Sequence, residues 1–139
     1  MAVFVFTNAS VNIAPTTGGT KVNLSDHVTS VTLTYEKDSI ETTAMGDSGH
    51  RFTGGLQNIS VALELNNDQA ASSVLETLWA NVGTGTSELT ISNTTTAGDQ
   101  KFTIINSFLA SSTPVAGAVG ELSKQSVTFT GGTITKGTV

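Results

Sequence analysis

Gly46-Asp47-Ser48-Gly49 is the tetrapeptide in this 139-residue chain whose residue types could support covalent chemistry. It matches the nucleophile turn of trypsin-like serine proteases, where the serine needs a histidine base oriented by a carboxylate. His27, Asp38 and Ser48 even follow in the right chain order. The match fails on scale, because those enzymes build two β-barrels with far more chain between the three members. His50 also stands where that family has a glycine. A Gly-Asp-Ser turn in a loop accounts for the residues more simply. Asp26-His27 and Asp47 with His50 are the candidates for a metal site. Two histidines without a tight second cluster fall short of the three or four ligands that zinc takes. Asp38 with Glu41 is a carboxylate pair with nothing nearby to hold its geometry, which acid–base catalysis requires. No P-loop, dinucleotide-binding turn or EF-hand loop is present. These residues predict no catalytic group, no metal and no cofactor; the expectation is a protein that is not an enzyme.

Composition narrows the class further. Thr (24) and Ser (15) exceed a quarter of the chain while charged residues make up 12 %, which argues against disorder. Thr, Val and Gly in quantity with two Pro read as strands joined by turns. The net charge is −5 and the six basic residues are scattered singly, so no basic stripe exists to neutralise a phosphate backbone. With no cysteine, disulfides and thiolate metal sites are excluded. Met1 to Phe6 is apolar without a basic n-region, which reads as a short strand more readily than as a signal peptide. No run approaches the ~18 apolar residues of a membrane span, so membrane insertion is not expected and synthesis in the cytoplasm is. Four N-x-Ser/Thr triplets, at Asn8, Asn23, Asn58 and Asn93, are what a Thr- and Ser-rich chain contains by chance.

The elements that must position these residues are mostly strands. Ala2 to Phe6 predicts a terminal strand, and Lys21 to Leu24 an extended segment after a Gly- and Thr-rich turn at Pro15 to Thr20. Val28 to Tyr35 alternates, with Val31, Leu33 and Tyr35 on one face and Ser30, Thr32 and Thr34 on the other. Glu36 to Gly55 then shows no period and holds four glycines. It predicts a long loop, which in a compact domain is usually functional. Gln57 to Asn66 is the strongest strand, with Ile59, Val61, Leu63 and Leu65 opposite Asn58, Ser60, Ala62 and Glu64. From Ala70 the period changes: Ala70, Ala71, Val74, Leu75, Leu78, Trp79 and Val82 recur at helical spacing. Asn67 or Asp68 serves as N-cap, or Ser73 with Glu76 forms a capping box, and Gly83 stops the helix. Trp79 reads as a core anchor. Glu88 to Ser92 and Lys101 to Phe108 predict a hairpin across Asn93 to Gln100. After a small-residue loop from Ala110 to Gly120 come strands at Ser126 to Thr130 and Thr133 to Val139. One domain over residues 1–139 is expected.

The ordered set from Leu24 to Trp79 resembles the major tail (tail-tube) proteins of long-tailed phages. Its parts are Leu24-Ser25-Asp26-His27-Val28 leading an alternating strand to Tyr35, and then Thr42-Thr43-Ala44-Met45-Gly46-Asp47. A Gly55-Leu56 step, a strong strand and a helix after Asn66-Asn67-Asp68 follow, and Leu122 to Phe129 with Ser126-Val127-Thr128-Phe129 resembles the family's last long strand. The resemblance implies two packed antiparallel β-sheets, a sandwich or split barrel, flanked by one α-helix. It also implies hexameric rings stacked into a tube, which encloses a tape-measure protein during assembly and later passes DNA. The long loop reaches a neighbouring subunit or ring.

Two surfaces follow from that resemblance and the residue pattern together. The loop's apolar members Ile40, Met45 and Phe52, with Asp47, His50 and Arg51, are the candidate subunit contact. The polar strand faces, Ser30, Thr32 and Thr34 with Asn58, Ser60 and Glu64, are the candidate lumen lining. Six copies at −5 would carry −30 per ring, and a lumen without clustered Lys or Arg would let DNA slide rather than stick. Location in a virion tail, assembled in the host cytoplasm, is implied. Two other readings stand beside it: the tube protein of a contractile tail, bacteriocin or type VI secretion system, and a monomeric β-sandwich adhesin or carbohydrate-binding module. The low aromatic content (6 %) disfavours the last, because sugar platforms need exposed Trp or Tyr.

Overall fold

The computed structural model describes residues 3–139. Eight strands and one helix follow in the order β1 (Ser10–Ala14), β2 (Val22–Asn23), β3 (Val28–Glu41), β4 (Phe52–Asn66), α1 (Val74–Asn81), β5 (Ser87–Ser92), β6 (Gln100–Leu109), β7 (Lys124–Thr130) and β8 (Thr133–Thr138). All strand pairings are antiparallel. The architecture is mainly β with one helix, the class the sequence predicts. The expected strand at Ala2 to Phe6 is not formed: Ala2 lies outside the described residues, and Val3 to Phe6 runs exposed and unpaired. The first strand begins instead at Ser10, where Val11, Ile13 and Ala14 are buried.

Two sheets share β6. One edge of β6 pairs with β5, which continues through β1 to β2. The other edge is divided. Gln100 to Ile105 pairs with β8, and Phe108 and Leu109 pair with β7, which continues through β4 to β3. The division falls where Asn106 adopts φ 57° and where Gly131 and Gly132, between β7 and β8, adopt φ 77° and 93°. Left-handed backbone at these points turns the chain out of one sheet and into the other. The turn is tight. A Cβ on Gly132 would lie 2.2 Å from the Ile105 carbonyl oxygen, which no side chain tolerates.

Between the sheets lies one apolar core. Ile59, Val61, Leu63 and Leu65 of β4 and Val127 and Phe129 of β7 meet Val11 and Ile13 of β1, Leu89 and Ile91 of β5 and Ile104 of β6. Burial alternates along β4 and β7 as a period of two requires. Helix α1 contributes Val74 and Leu78 to this core.

The helix is shorter than its periodicity predicts, because Ser72 sits at φ 57° and breaks the spacing before Val74. Ser73 is the N-cap residue, yet its hydroxyl donates to Asp68 rather than capping the helix. Glu76 accepts from the Ser72 N–H, one residue before the capping-box position. The C-terminal stop falls at Gly83 (φ 77°), as expected, with its N–H donating to the Leu109 carbonyl. Trp79 is not a core anchor. It is 72 % exposed, because Val74, Thr77, Leu78 and Asn81 form the buried face and Trp79 lies off it. Asn81 is buried and satisfied: its amide donates to the Thr77 carbonyl and its carbonyl accepts from the Ser87 hydroxyl.

The turn at Pro15 to Thr20 is tied to β5 through Glu88. That carboxylate accepts from the Gly18 N–H at 2.6 Å and meets Lys21 Nζ at 3.0 Å. The Gly18 hydrogen bond holds the Glu88 carboxyl below the usual glutamate range; partial burial opposes the shift and Lys21 adds to it.

Two expected outcomes follow. Gly132→Ala should lower stability by at least about 2 kcal/mol in urea denaturation, through φ strain and the carbonyl clash together. Because Glu88 titrates below its unfolded value, its contribution is present above the ordinary glutamate pKa and is lost as pH falls through the depressed one. Glu88→Gln should therefore be destabilised by roughly 1–2 kcal/mol at neutral pH. Its urea midpoint should converge with that of the parent protein as the solution is acidified.

Candidate assembly surfaces

The segment from Glu36 to Gly55 is not a long irregular loop. Main-chain pairing continues through Glu36↔Asn58 and Lys37↔Gln57, then Ser39↔Gly54, Ile40↔Thr53 and Glu41↔Phe52. Only residues 42–51 form the turn. Periodicity hid the strands because neither face of this stretch is buried, so no alternation of apolar and polar residues is selected. The bulge opposite Asp38 is a second reason. Gly55 and Leu56 face one residue there, and a Cβ on Gly55 would lie 3.0 Å from Asp38 and Ile40 side-chain atoms.

β4 pairs with β7 only from Ser60 onward. Beyond that point β3 and β4 form a two-stranded ribbon running roughly 25 Å past the shared sheet, at about 3.3 Å per residue. Its turn is organised by its own hydrogen bonds. Asp47 accepts from the Ala44 N–H (2.8 Å), Thr43 Oγ1 accepts from the Arg51 N–H (2.9 Å), and the Thr42 N–H donates to the Arg51 carbonyl (2.8 Å). His50 Nδ1 lies 2.9 Å from Glu41 Oε1, and the Arg51 guanidinium stands 3.7 Å from Asp47. Asp47, His50 and Arg51 therefore shape the turn. The apolar candidates Ile40, Met45 and Phe52 are all exposed. Leu56, 79 % exposed on the same ribbon, belongs with them and was missed; the Gly55-Leu56 step was its only signal.

Ser48 sits in this turn, while His27 precedes β3 at the opposite end of the hairpin. A 14-residue strand separates them, roughly 45 Å, so Ser48 and His27 do not meet, and His50 in the same turn is engaged with Glu41. His27 instead pairs with Asp68 at 3.1 Å. Asp68 is held below the usual aspartate range by the Ala70 N–H first and the Ser73 hydroxyl second. Among the described residues no group of three or more His, Cys, Asp or Glu side chains could hold a metal.

The polar strand faces are brought together by register. Ser30 pairs with Glu64, Thr34 with Ser60, and Glu36 with Asn58, while Thr32 stands across from Ala62. On the other side of β4, Ser60, Ala62 and Glu64 pair with Thr130, Thr128 and Ser126. One continuous face of small polar residues results, opposite the buried face of Ile59, Val61, Leu63 and Leu65. Ser126, Thr128 and Thr130 are exposed members of this face that join the candidates from β3 and β4, and their alternation with buried Val127 and Phe129 is visible in the sequence. The outer edge of β3 has no main-chain partner among the described residues. Unpaired edges of this length invite pairing with another chain.

No family model matches the chain, and no curated protein matches it. Solved structures do. A chain of the sheath-tube complex of an extracellular contractile injection system (PVC) in its extended state superposes with a TM-score of 0.65 at 16 % identity. The match covers 99 % of this chain and 93 % of that one. A chain from the tube-terminating cap of the anti-feeding prophage gives 0.64 at 15 % identity, over 100 % and 95 %. One from the six-fold symmetrised baseplate of the same particle gives 0.63 at 11 %, over 98 % and 96 %. The chain thus shares its fold, end to end, with components of contractile injection systems.

Met45→Asp and Phe52→Asp should each leave the stability of the dispersed subunit within about 0.5 kcal/mol, because neither side chain is buried there. Both should prevent assembly, read as loss of high-molecular-weight species in sedimentation velocity.

Proposed function

We propose that this protein is the tube subunit of a phage tail-like contractile device, joining copies of itself into six-membered rings that stack as a hollow cylinder. The β3–β4 ribbon carries this reading, in a molecule whose full-length fold is that of chains taken from such assemblies. A two-stranded ribbon with both faces in water is marginal by itself. Exposed Ile40, Met45, Phe52 and Leu56 gain burial only against another chain. The free β3 edge gives a neighbour a place to continue the sheet, and a sheet closed around a ring has no edges left.

In the assembled ring the polar face of β3, β4 and β7 lines the lumen. Ser30, Thr32, Thr34, Asn58, Ser60 and Glu64 belong to it, now joined by Ser126, Thr128 and Thr130. On this face Lys124, two residues before Ser126 on the same side of β7, stands without a basic cluster around it, so a polyanion passing through would release few counterions and would not be held tightly. That observation also supports the second reading, the tube of a long-tailed phage, in which DNA passes without tight binding. In either device the partners are further copies of the chain, a tape-measure protein within the growing tube and other tail proteins around it. Assembly takes place in the host cytoplasm, and the finished tube belongs to a virion tail or a secreted particle.

Electron microscopy of the concentrated protein should show rings or hollow tubes. Cysteine at Thr32 or Glu64, in a chain with none of its own, should react with a bulky maleimide in dispersed subunits and be protected in tubes. Equal labelling of both states would remove the lumen assignment, and a strictly monomeric, glycan-binding particle would remove the tube.

A further inference from the structure

The side to which each residue of the ribbon points is fixed by contacts around the bulge at Asp38. Asn58 belongs to the polar face of β4, and its amide donates to Asp38 Oδ1 at 2.6 Å, so Asp38 lies on that face. Gln57 lies on the opposite side, where its Oε1 accepts from the Ile134 N–H of β8 at 3.1 Å. Partners in register share a face, so Lys37 lies there too. Past the bulge the order on β4 is inverted. A Cβ on Gly54 would lie 3.3 Å from the Lys37 side chain, and one on Gly55 would lie 3.0 Å from those of Asp38 and Ile40. Gly54 thus shares the side of Lys37 and Gln57, whereas an unbroken strand would put it on the other. Phe52, two residues from Gly54, shares that side as well. Its partner Glu41 holds His50 at 2.9 Å, and the His50 ring stands 6.5 Å from the Phe52 ring. Ile40 remains on the polar side with Asp38.

We infer that this bulge decides which side of the ribbon docks on a second copy of the chain, by carrying Phe52 off the polar face and onto the side continuous with the buried faces of β3 and β4. In an unbroken β4, Phe52 would fall in the series Asn58, Ser60, Ala62 and Glu64, the face that lines the lumen in the ring. The ribbon's only aromatic ring besides His50 would then stand in the passage. With the bulge in place Phe52, 59 % exposed, faces away from that lining, on the side where a neighbouring body lies once a ring is closed. The partner is a copy of this chain because the contact is continuous with the free β3 edge, which a copy extends. The residues at the bulge suit this role. Gly54 and Gly55 leave the space that a side chain would take from Lys37, Asp38 and Ile40. The Asn58–Asp38 and Gln57–Ile134 hydrogen bonds fasten its body side, so the facing is held. The inference rests on the tube reading, to which it adds the side on which the ribbon meets its neighbour.

The test moves the ring across the ribbon and then moves it back, in the full chain. Exchange of neighbours, Phe52→Thr with Thr53→Phe, keeps the composition, alters only exposed positions and puts the aromatic on the polar side. A threonine inserted between Asp38 and Ser39 gives Gly55 a partner, makes the ribbon regular and inverts both faces beyond it. Insertion and exchange together return the ring to the side of Gln57, as far from Lys37 as in the parent. Assembly is followed by sedimentation velocity, with the urea midpoint of each dispersed subunit as the check on folding. The exchange should raise the concentration needed for assembly at least about tenfold, and the added insertion should restore it, because the contact buries the ring. Exchanged protein that assembles at the parent's concentration would overturn the inference, as would an insertion that keeps the midpoint and restores nothing. If the inserted chain unfolds, deletion of Gly55 decides, since it removes the bulge but leaves Phe52 beside Glu41 on the same side. Assembly is expected to survive that deletion; its loss with an intact midpoint would overturn the inference. Tubes formed equally by parent and exchanged protein leave the tube reading standing and remove this facing. Loss and recovery in small oligomers that never grow into tubes do the reverse.

Discussion

Everything in this fold depends on how β6 divides one of its edges between two partners. Its first half is bonded to β8 and its end to β7, and the change falls at Asn106 opposite Gly131 and Gly132. Without that division the eight strands would extend as one sheet and leave a single large apolar face to cover. With it, the chain bends back so that β4 and β7 stand against β1 and β5, and the apolar faces of both sheets bury each other. The backbone requirement is local and severe, because residue 132 must have positive φ and must have no side chain. The consequence is global.

Once the sandwich is closed at β6 and β7, its other side stays open. β3 is the outermost strand there, and it is also the longest element apart from β4. A monomeric protein would protect such an edge by shortening it or covering it. Here the edge is long and uncovered, the hairpin runs on past the body, and its projecting end exposes large apolar side chains. These features are costly for an isolated molecule and coherent for one that completes its surface with copies of itself. The interior is thus organised by β6, while the β3 side of the molecule keeps a long free edge and exposed apolar side chains.

The polar side chains that first suggest chemistry are employed in shaping turns. Asp47, Thr43, His50 and Arg51 organise the hairpin turn, and Asp68 with Ser73 and His27 fastens the approach to the helix. Glu88 holds the Pro15 to Thr20 turn against β5. Each group meets partners from its own neighbourhood, and the tetrapeptide serine stands a full strand length from His27. A protein with so little charge to spare uses it for geometry.

What the sequence determined by itself was whatever depended on one segment and its burial. The strand from Gln57 to Asn66, the hairpin of Glu88 to Phe108 and the helix stop at Gly83 were all legible, since local periodicity and residue type suffice for them. The pairing of Ser30, Thr34, Ser60 and Glu64 on one face was legible too, because a period of two sorts both strands in the same way. Tertiary structure decided the rest. Glu36 to Gly55 became a ribbon through cross-strand bonds that leave no hydrophobic pattern when both faces are exposed. Trp79 turned outward because the buried stripe of a short helix is set by the sheet it meets, and Ser72 had shifted where that stripe begins. The apolar start of the chain, which reads as a strand, stays unpaired from Val3 to Phe6, because apolar residue type by itself does not supply a partner strand. Residue patterns record how much of a segment is buried, but which surfaces meet, and which wait for another molecule, is settled only by the packing of the whole.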